Sequence, residues 1–141
     1  MEIDKRSEFT ASQALTAGTT VLTDYYNAGG DFDLGVGRPL YWNLVTLTEA
    51  NEDASETYTF NLYSDSDPAF GTESLIASIV VPAGSPAGSK FSVGFPLSNQ
   101  QYLRAKGVLA DGGGTAEVTV ESWMSNEPCT KTQAYAQNIP A

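Results

Sequence analysis

Residues 57–64 have the sequence Thr-Tyr-Thr-Phe-Asn-Leu-Tyr-Ser, in which polar and apolar side chains alternate. In an extended chain, Tyr58, Phe60 and Leu62 share one face, while the threonines and Asn61 share the other. An alternation with a period of two is typical of a β-strand that buries one face. The segment therefore predicts one strand of a sheet with an apolar core on one side.

Further segments have the composition of β-strands, because they are rich in branched and aromatic residues or alternate in polarity. They are residues 19–26, 40–48, 74–81, 90–97, 102–109 and 115–124. Glycine and proline are concentrated between them, as in Pro82–Gly88 and Ala110–Gly114, and no window of ten residues has a helical period. The pattern predicts an all-β fold, an antiparallel β-sandwich of seven or eight strands. It does not separate a jelly roll from an immunoglobulin-like sandwich.

The charge balance bears on the choice of partner. The 141 residues include 17 acids and seven Lys or Arg, which gives a net charge of −10. Nucleic-acid binding draws its affinity from clustered basic side chains, so we expect no nucleic-acid partner. No stretch approaches the roughly 20 apolar residues of a membrane-spanning helix, so we expect no membrane partner either. The acidity is interpreted as a source of solubility, or as steering towards a basic surface.

The residue types needed for much of catalysis are missing. The sequence has no His and a single cysteine, Cys129. It therefore has no Ser-His-Asp triad, no Cys–His pair and no His-containing zinc site, and Cys129 is interpreted as a structurally incidental thiol. Carboxylate pairs of the glycosidase kind remain open, but most acids are predicted in loops or on polar strand faces. We expect no enzyme, no catalytic residue and no cofactor.

Two Asp-x-Asp pairs are the candidates for calcium ligands, Asp31–Asp33 and Asp65–Asp67, together with the acidic loop 49–56. Calcium takes roughly six to eight oxygen ligands. Neither pair continues into the loop pattern of the helix–loop–helix calcium sites. The alternative is that these carboxylates accept hydrogen bonds from the backbone of their own loop. We expect this alternative, and no metal site.

Two aromatic residues are predicted to lie on polar strand faces. Trp123 shares its face with Glu121, and Tyr63 shares its face with Asn61. Such rings are often covered by protein, which here is the chain's own arm or tail, or a partner subunit. The alternative is a sugar-binding platform on the sandwich, with Trp42, predicted in the core, as its other tryptophan candidate. The tyrosine candidates for such a platform are Tyr25, Tyr26, Tyr41 and Tyr63.

Two basic residues, Arg104 and Lys106, are predicted on one strand face with Tyr102 and Val108. Exposed ion pairs contribute only about 0–1 kcal/mol, so we interpret this face as solvated and weakly paired. The alternative is a docking contact with an acidic patch of a partner.

The two ends of the chain differ from the body in composition. Residues 1–17 carry five charged side chains and scattered apolar ones, without the apolar run of a signal peptide. They predict synthesis in the cytoplasm and an extended N-terminal arm over 1–18, laid on its own sandwich or on a neighbouring subunit. The sandwich domain is predicted over 19–124, and removal of 1–17 is expected to leave it folded. The C-terminal tail, 125–141, is interpreted either as a frayed terminus or as a second arm that orders on a partner.

Six motifs follow one another along the chain: Ile3-Asp4, Phe9-Thr10, Gln13–Ala17, Gly35–Tyr41, Phe60–Phe70 and Gln101–Arg104. In order and spacing they resemble the capsid cement, or decoration, proteins of certain tailed phages. The resemblance extends from the start of the chain to about Trp123, and no matching pattern follows Ser125.

The resemblance implies a jelly-roll fold and a structural role in the virion. It implies a small homo-oligomer, a dimer or a trimer, on the outer surface of a phage head. There it would bind across the seams between subunits of the major capsid protein and stabilise the mature lattice. We expect the contacts with the capsid or between copies at Ile3, Phe9, Leu15, Tyr63 and Trp123. The alternative function is a carbohydrate-binding β-sandwich module on the virion surface.

Overall fold

The computed structural model describes residues 8–27, 40–51, 55–94, 101–125 and 127–130. Within these residues the chain forms nine β-strands. They are β1 (Glu8–Thr16), β2 (Gly18–Val21), β3 (Tyr26–Asn27), β4 (Tyr41–Thr46), β5 (Thr57–Asp65), β6 (Ser74–Val81), β7 (Lys90–Gly94), β8 (Tyr102–Ala110) and β9 (Glu117–Ser125). Nowhere in these ranges does the chain form a helix of the length and apolar character needed to span a membrane.

The strands pair in two antiparallel sheets. The four-stranded sheet has the order β1-β9-β4-β7, and the five-stranded sheet has the order β2-β8-β5-β6, with β3 also paired to β8. The pairs are nested along the chain. The outermost pair is β1 with β9, and inside it both β2 and β3 pair with β8. Further inside, β4 pairs with β7, and β5 pairs with β6. A long hairpin rolled in this way is a jelly roll, which has a different strand order from the immunoglobulin sandwich. The predicted jelly-roll-like antiparallel β-sandwich is therefore confirmed.

The alternation in residues 57–64 has the predicted effect on burial. Tyr58, Phe60 and Leu62 of β5 are fully buried between the two sheets. Trp42 of β4 is fully buried as well, and its Nε1 donates a hydrogen bond to Oγ of Ser122 at 2.8 Å. Because buried polar groups are stable only when they are hydrogen-bonded, this partner allows an indole to lie in the core.

The segment predicted as an extended arm contains a strand of the sandwich. β1 forms the edge of the four-stranded sheet, and its Phe9 and Leu15 belong to the core with at most 2% of their surface exposed. The boundary predicted at residue 18 therefore does not separate an arm from the body. Removal of residues 1–17 would also remove these two core side chains, so we now expect the truncation to destabilise the sandwich. Residues 1–7, including Ile3, lie outside the described residues.

The fit of β1 against the opposite sheet depends on one glycine. Gly107 of β8 is buried, and a Cβ atom at this position would lie 2.9 Å from Cδ1 of Leu15 and 3.1 Å from Cε1 of Phe60. Protein interiors are close-packed, so a methyl group there would displace these side chains. Because Gly107 has no side chain, Leu15 can pack against it in the core.

After β9 the chain returns to the outer face of the four-stranded sheet. The backbone N–H of Cys129 donates to Oδ1 of Asn43 at 3.0 Å, and its thiol donates to the carbonyl oxygen of Phe91 at 3.4 Å. Cys129 is buried, and this burial raises the pKa of its thiol. The interpretation as an incidental thiol is corrected, because Cys129 attaches the beginning of the predicted tail to the sheet. Residues 131–141 of that tail lie outside the described residues.

Candidate functional site

Three exposed apolar side chains lie on the outer face of the five-stranded sheet. Val21, Leu75 and Val80 have 41%, 57% and 66% of their surface exposed. Val21 pairs with Lys106, and Leu75 pairs with Tyr63, which places these side chains on the outward side of the sheet. Val21 lies on β2 and the other two lie on β6, so they flank the side chains of β8 and β5 at opposite edges of this sheet.

A partly buried ion-pair network lies on the same face. Nε and Nη2 of Arg104 both lie 2.8 Å from Oε2 of Glu73, and Nζ of Lys106 contacts Oε1 of the same carboxylate. The three side chains keep only 17–20% of their surface exposed. Burial opposes the ionisation of Glu73, but the hydrogen bonds from Lys106 and Arg104 outweigh it and lower its pKa. The prediction of a solvated, weakly paired face is therefore wrong.

Each of the two cations lies over the face of an aromatic ring. The guanidinium carbon of Arg104 lies 4.4 Å from the ring centroid of Phe70, and Nζ of Lys106 lies 4.9 Å from that of Tyr63. Contacts of this kind contribute about 0.5–1 kcal/mol when exposed and about 2 kcal/mol when desolvated. The half-buried Tyr63 thus belongs to the outer face of the five-stranded sheet, where it supports Lys106.

Three aromatic rings pack together at one end of this face. Tyr25 contacts Phe70 and Tyr102 edge to face, with centroid distances of 6.0 and 5.8 Å, and Phe70 lies 6.4 Å from Tyr102. Such pairs are worth about 0.5–1.5 kcal/mol beyond the burial of their area. Phe70 is buried, whereas 48% of the surface of Tyr25 is exposed. The cluster therefore fixes the orientation of an exposed ring.

The loop that carries Phe70 is held by its own carboxylates. Asp65 accepts backbone hydrogen bonds from Asp67 at 3.0 Å and from Thr72 at 2.9 Å, and Asp67 accepts one from Ala69 at 2.9 Å. Burial opposes the ionisation of Asp65, but the backbone donors outweigh it and lower its pKa. The prediction that these acids bond to their own loop backbone is confirmed for this pair, whereas Asp31–Asp33 lies outside the described residues. Among the residues that are described, no cluster of acidic or Cys side chains is arranged to hold a metal ion.

The residues predicted at the interface are not brought together. Phe9 and Leu15 lie in the core, and Tyr63 lies on the outer face of the five-stranded sheet. Trp123 lies on the other sheet, in β9. Phe9 and Leu15 present no surface to a partner, so their assignment to an interface is corrected to a role in the core. The prediction for Ile3 lies outside the described residues.

Trp123 is covered by its own chain. It lies on the polar face of β9, yet only 5% of its surface is exposed, and Nε1 has no hydrogen-bond partner among the described residues. Burial, and then the charge of Glu8 on β1, raise the pKa of Glu121, two residues before Trp123. A ring that stacks on a sugar must be exposed, so Trp123 does not form the sugar-binding platform considered above.

A groove of about 400 Å³ lies beside β9. Its lining residues include Glu49 and Glu117, and Nδ2 of Asn51 donates to Oε2 of Glu117 at 3.5 Å. The other polar residues that line it are Thr16, Thr48 and Thr119. Of the described lining residues none is aromatic, and one of the two carboxylates already has a hydrogen-bond partner. We therefore assign no catalytic geometry to this groove.

No family model and no curated protein matches the chain. Several solved structures are similar to it. PirA is 13% identical, with 86% of this chain and 100% of that chain covered and a TM-score of 0.43. A structure of the infectious bursal disease virus Gt strain is 14% identical, with 84% and 30% covered and a TM-score of 0.45. The chain thus spans less than a third of that viral chain.

A third similar structure is that of the Clostridium thermocellum endo-1,4-β-D-xylanase 10B, with its CBM22-1 and GH10 modules in complex with xylohexaose. It is 12% identical, with 89% of this chain and 28% of that chain covered and a TM-score of 0.45. At such identities and TM-scores, the similarity assigns neither a family nor a function to this chain.

Sequence reasoning missed two residues of the outer face, Phe70 and Glu73. Both lie in the connection between β5 and β6, where hydrophobic periodicity does not specify side-chain contacts. The charges of Arg104 and Lys106 could have indicated that a carboxylate such as Glu73 lies nearby. Arg104 and Lys106 lie two residues apart on one strand face, where like charges repel unless a carboxylate lies between them.

Proposed function

We propose that this chain is a non-enzymatic capsid cement protein of a tailed phage. One observation carries the proposal. Two of the motifs that carry the resemblance, 60–70 and 101–104, are separate in sequence but meet in space, where Phe70 contacts Tyr102 and Arg104. A fold alone does not assign a function, so the proposal rests on these motifs, and the jelly roll is the fold that they imply.

The proposed function is mechanical and thermodynamic. The protein is made in the host cytoplasm and binds the outer surface of the head across seams between major capsid protein subunits. A protein that binds only the mature lattice stabilises it by linkage, by about 2.7 kcal/mol per site when its free concentration is 100 times the Kd. Assembly as a dimer or trimer links several such contacts and slows release.

We infer that the outer face of the five-stranded sheet is the docking surface. Leu75 and Val80 lie on β6, the edge strand of that sheet, and Val21 lies near the opposite edge. Glu73 contacts both cations of this face, and the carboxylate of Asp65 interacts with Arg104, so two positive and two negative charges balance here. The face thus carries little net charge in a chain of net charge −10, which favours an apolar partner surface.

Co-sedimentation with expanded capsids of the same phage tests this proposal. A variant with Val80→Asp places a charge within the inferred contact, on its edge strand, and less of this variant is expected to sediment with the capsids. Leu47→Asp is the matched control, because Leu47 is also an exposed apolar residue, at 39%, but follows β4 of the other sheet. Equal loss of binding in both variants would argue against the five-stranded sheet as the docking surface.

A further inference from the structure

The strand β6 lacks most of the features that protect the edge of a β-sheet. An edge strand presents unpaired backbone N–H and C=O groups, and folded proteins limit new pairing there with short strands, charges, prolines or bulges. At the other edges, β2 and β3 have only four and two residues, β7 has five and begins at Lys90, and β1 contains Glu8 and two register shifts. β6 has eight residues and contains neither a charged residue nor a proline. Among the strands that the structure describes, β6 pairs with β5 alone.

The regular part of this edge is residues 77–81. The one register shift between β5 and β6 lies before Ala77, and residues 77–81 pair with β5 without interruption. Ser78 and Val80 are exposed, whereas Ile79 is buried, so the alternation of a strand is kept up to its end. Five residues in extended conformation thus present their outer backbone groups together with two exposed side chains.

Charge favours a second copy of this chain as the partner of this edge. Two copies that each carry a net charge of −10 repel one another in general. The stretch 74–89 contains no charged residue, so two β6 strands can approach without placing like charges opposite each other. Residues 79–81 are Ile-Val-Val, and branched residues of this kind favour the extended conformation. The edge at β6 is therefore a place where two acidic copies can meet.

We propose that two copies of this chain form a dimer in which their β6 strands pair antiparallel about a two-fold axis. Overlap of residues 77–81 of both copies centres on Ile79 and places Ser78 of each copy opposite Val80 of the other. The two five-stranded sheets then form one continuous sheet. Because the axis is perpendicular to that sheet, the outer faces of both copies lie on the same side of it.

This dimer deepens the proposed function and rests on it only for its role on the capsid. Two docking surfaces that face the same way can contact the capsid together, which slows release. In the Val80→Asp variant of the capsid test, each new carboxylate lies opposite Ser78, so we expect this variant still to form the dimer. The pairing is measured on purified protein without capsids. Failure of the dimer and failure of capsid binding are therefore separate results.

Sedimentation equilibrium of the purified full chain tests the pairing with variants of opposite charge. We expect the wild type to have twice the mass of one chain. Ser78→Lys with Val80→Lys places two pairs of like charges directly opposite each other, so self-association should weaken at least about tenfold. Ser78→Asp with Val80→Asp should weaken it in the same way. An equimolar mixture of the two double variants should regain the dimer, because opposite charges then face each other.

The matched control is Thr19→Lys with Val21→Lys. Both positions are exposed on β2, two residues apart at the opposite edge of the same sheet, so the charge change is the same. This variant should self-associate as tightly as the wild type, and circular dichroism checks that every variant is folded. A monomeric or trimeric wild type would overturn the proposal. So would equal weakening by the β2 and β6 variants, or a mixture of folded charge variants that does not associate.

Discussion

The side-chain oxygen of Asn43, in the middle of β4, accepts a hydrogen bond from the backbone N–H of Cys129, 86 residues later in the chain. The same oxygen accepts a hydrogen bond from the hydroxyl of Ser92, and Nδ2 of Asn43 donates to Oγ of Ser125. Asn43 is fully buried on the outward side of the four-stranded sheet. One side chain thus joins three strands to the segment that follows the last of them.

We expect Cys129 to react slowly with a thiol reagent in the folded protein. Its thiol is buried and its pKa is raised by that burial, so the reactive thiolate is scarce. Asn43→Ala leaves the N–H of Cys129 without its partner and should lower the free energy of unfolding by about 1–3 kcal/mol. The rate of labelling should rise in this variant, and Ser78→Ala, which removes an exposed hydrogen bond, is the control. Labelling of the wild type as fast in buffer as in urea would contradict this placement of Cys129.

Leu15→Ala tests whether β1 belongs to the core. Removal of a buried leucine side chain should lower the free energy of unfolding by about 2–5 kcal/mol, as measured by urea denaturation. Val21→Ala, at an exposed position, should change it by less than about 0.5 kcal/mol. If β1 were a detachable arm, the two variants would be equally stable.

Gly107→Ala tests the close packing of the two sheets by a change in β8, opposite Leu15 of β1. The added methyl group would meet Cδ1 of Leu15 at 2.9 Å, so we expect a loss of about 1–3 kcal/mol from overpacking. The double variant Gly107→Ala with Leu15→Ala should lose less than the sum of the single changes, because the smaller side chain makes room for the methyl group. Simple additivity in urea denaturation would show that the two positions do not touch.

Glu73→Gln tests the ion-pair network through its pH dependence. Because the pKa of Glu73 is lowered in the folded state, its contribution to stability is fully present above its unfolded pKa, near its ordinary value of 4.5. It is lost as the pH falls through the lower, folded pKa. The wild type should thus be more stable than Glu73→Gln by about 1–3 kcal/mol at pH 7, and the difference should shrink below about pH 4.5. Ser78→Ala changes no titrating group, so its difference in free energy of unfolding from the wild type should not depend on pH. If the difference for Glu73→Gln were also independent of pH, the network would be refuted.

The parts of the fold that follow a strict period were predictable from sequence. Tyr58, Phe60 and Leu62 alternate with polar residues, and all three are buried as expected. β1 was not recognised as a strand, because register shifts between Glu8 and Thr10 and between Thr10 and Gln13 interrupt its alternation. A bulge moves successive side chains off their regular faces, so the apolar residues of β1 looked too sparse for an element of the core.

The candidate surface was less predictable than the core. Trp123 and Tyr63 were placed correctly on polar strand faces by alternation, but what covers or neighbours them depends on contacts between distant parts of the chain. Phe70 reaches Arg104 from a loop, and Asn43 reaches Cys129 across most of the sequence. Neither contact could be predicted from the neighbouring sequence. Contacts between residues so far apart in the chain form only when the strands assemble in their final order.

The most direct test of the proposed cement function is the amount of purified wild-type protein that sediments with expanded capsids of the same phage, compared with unexpanded capsids. We expect saturable binding to the expanded particles, little binding to the unexpanded ones, and at least tenfold weaker binding for Val80→Asp but not for Leu47→Asp. Wild-type protein that stays in the supernatant of the expanded capsids, while folded and at saturating concentration, would contradict the proposal.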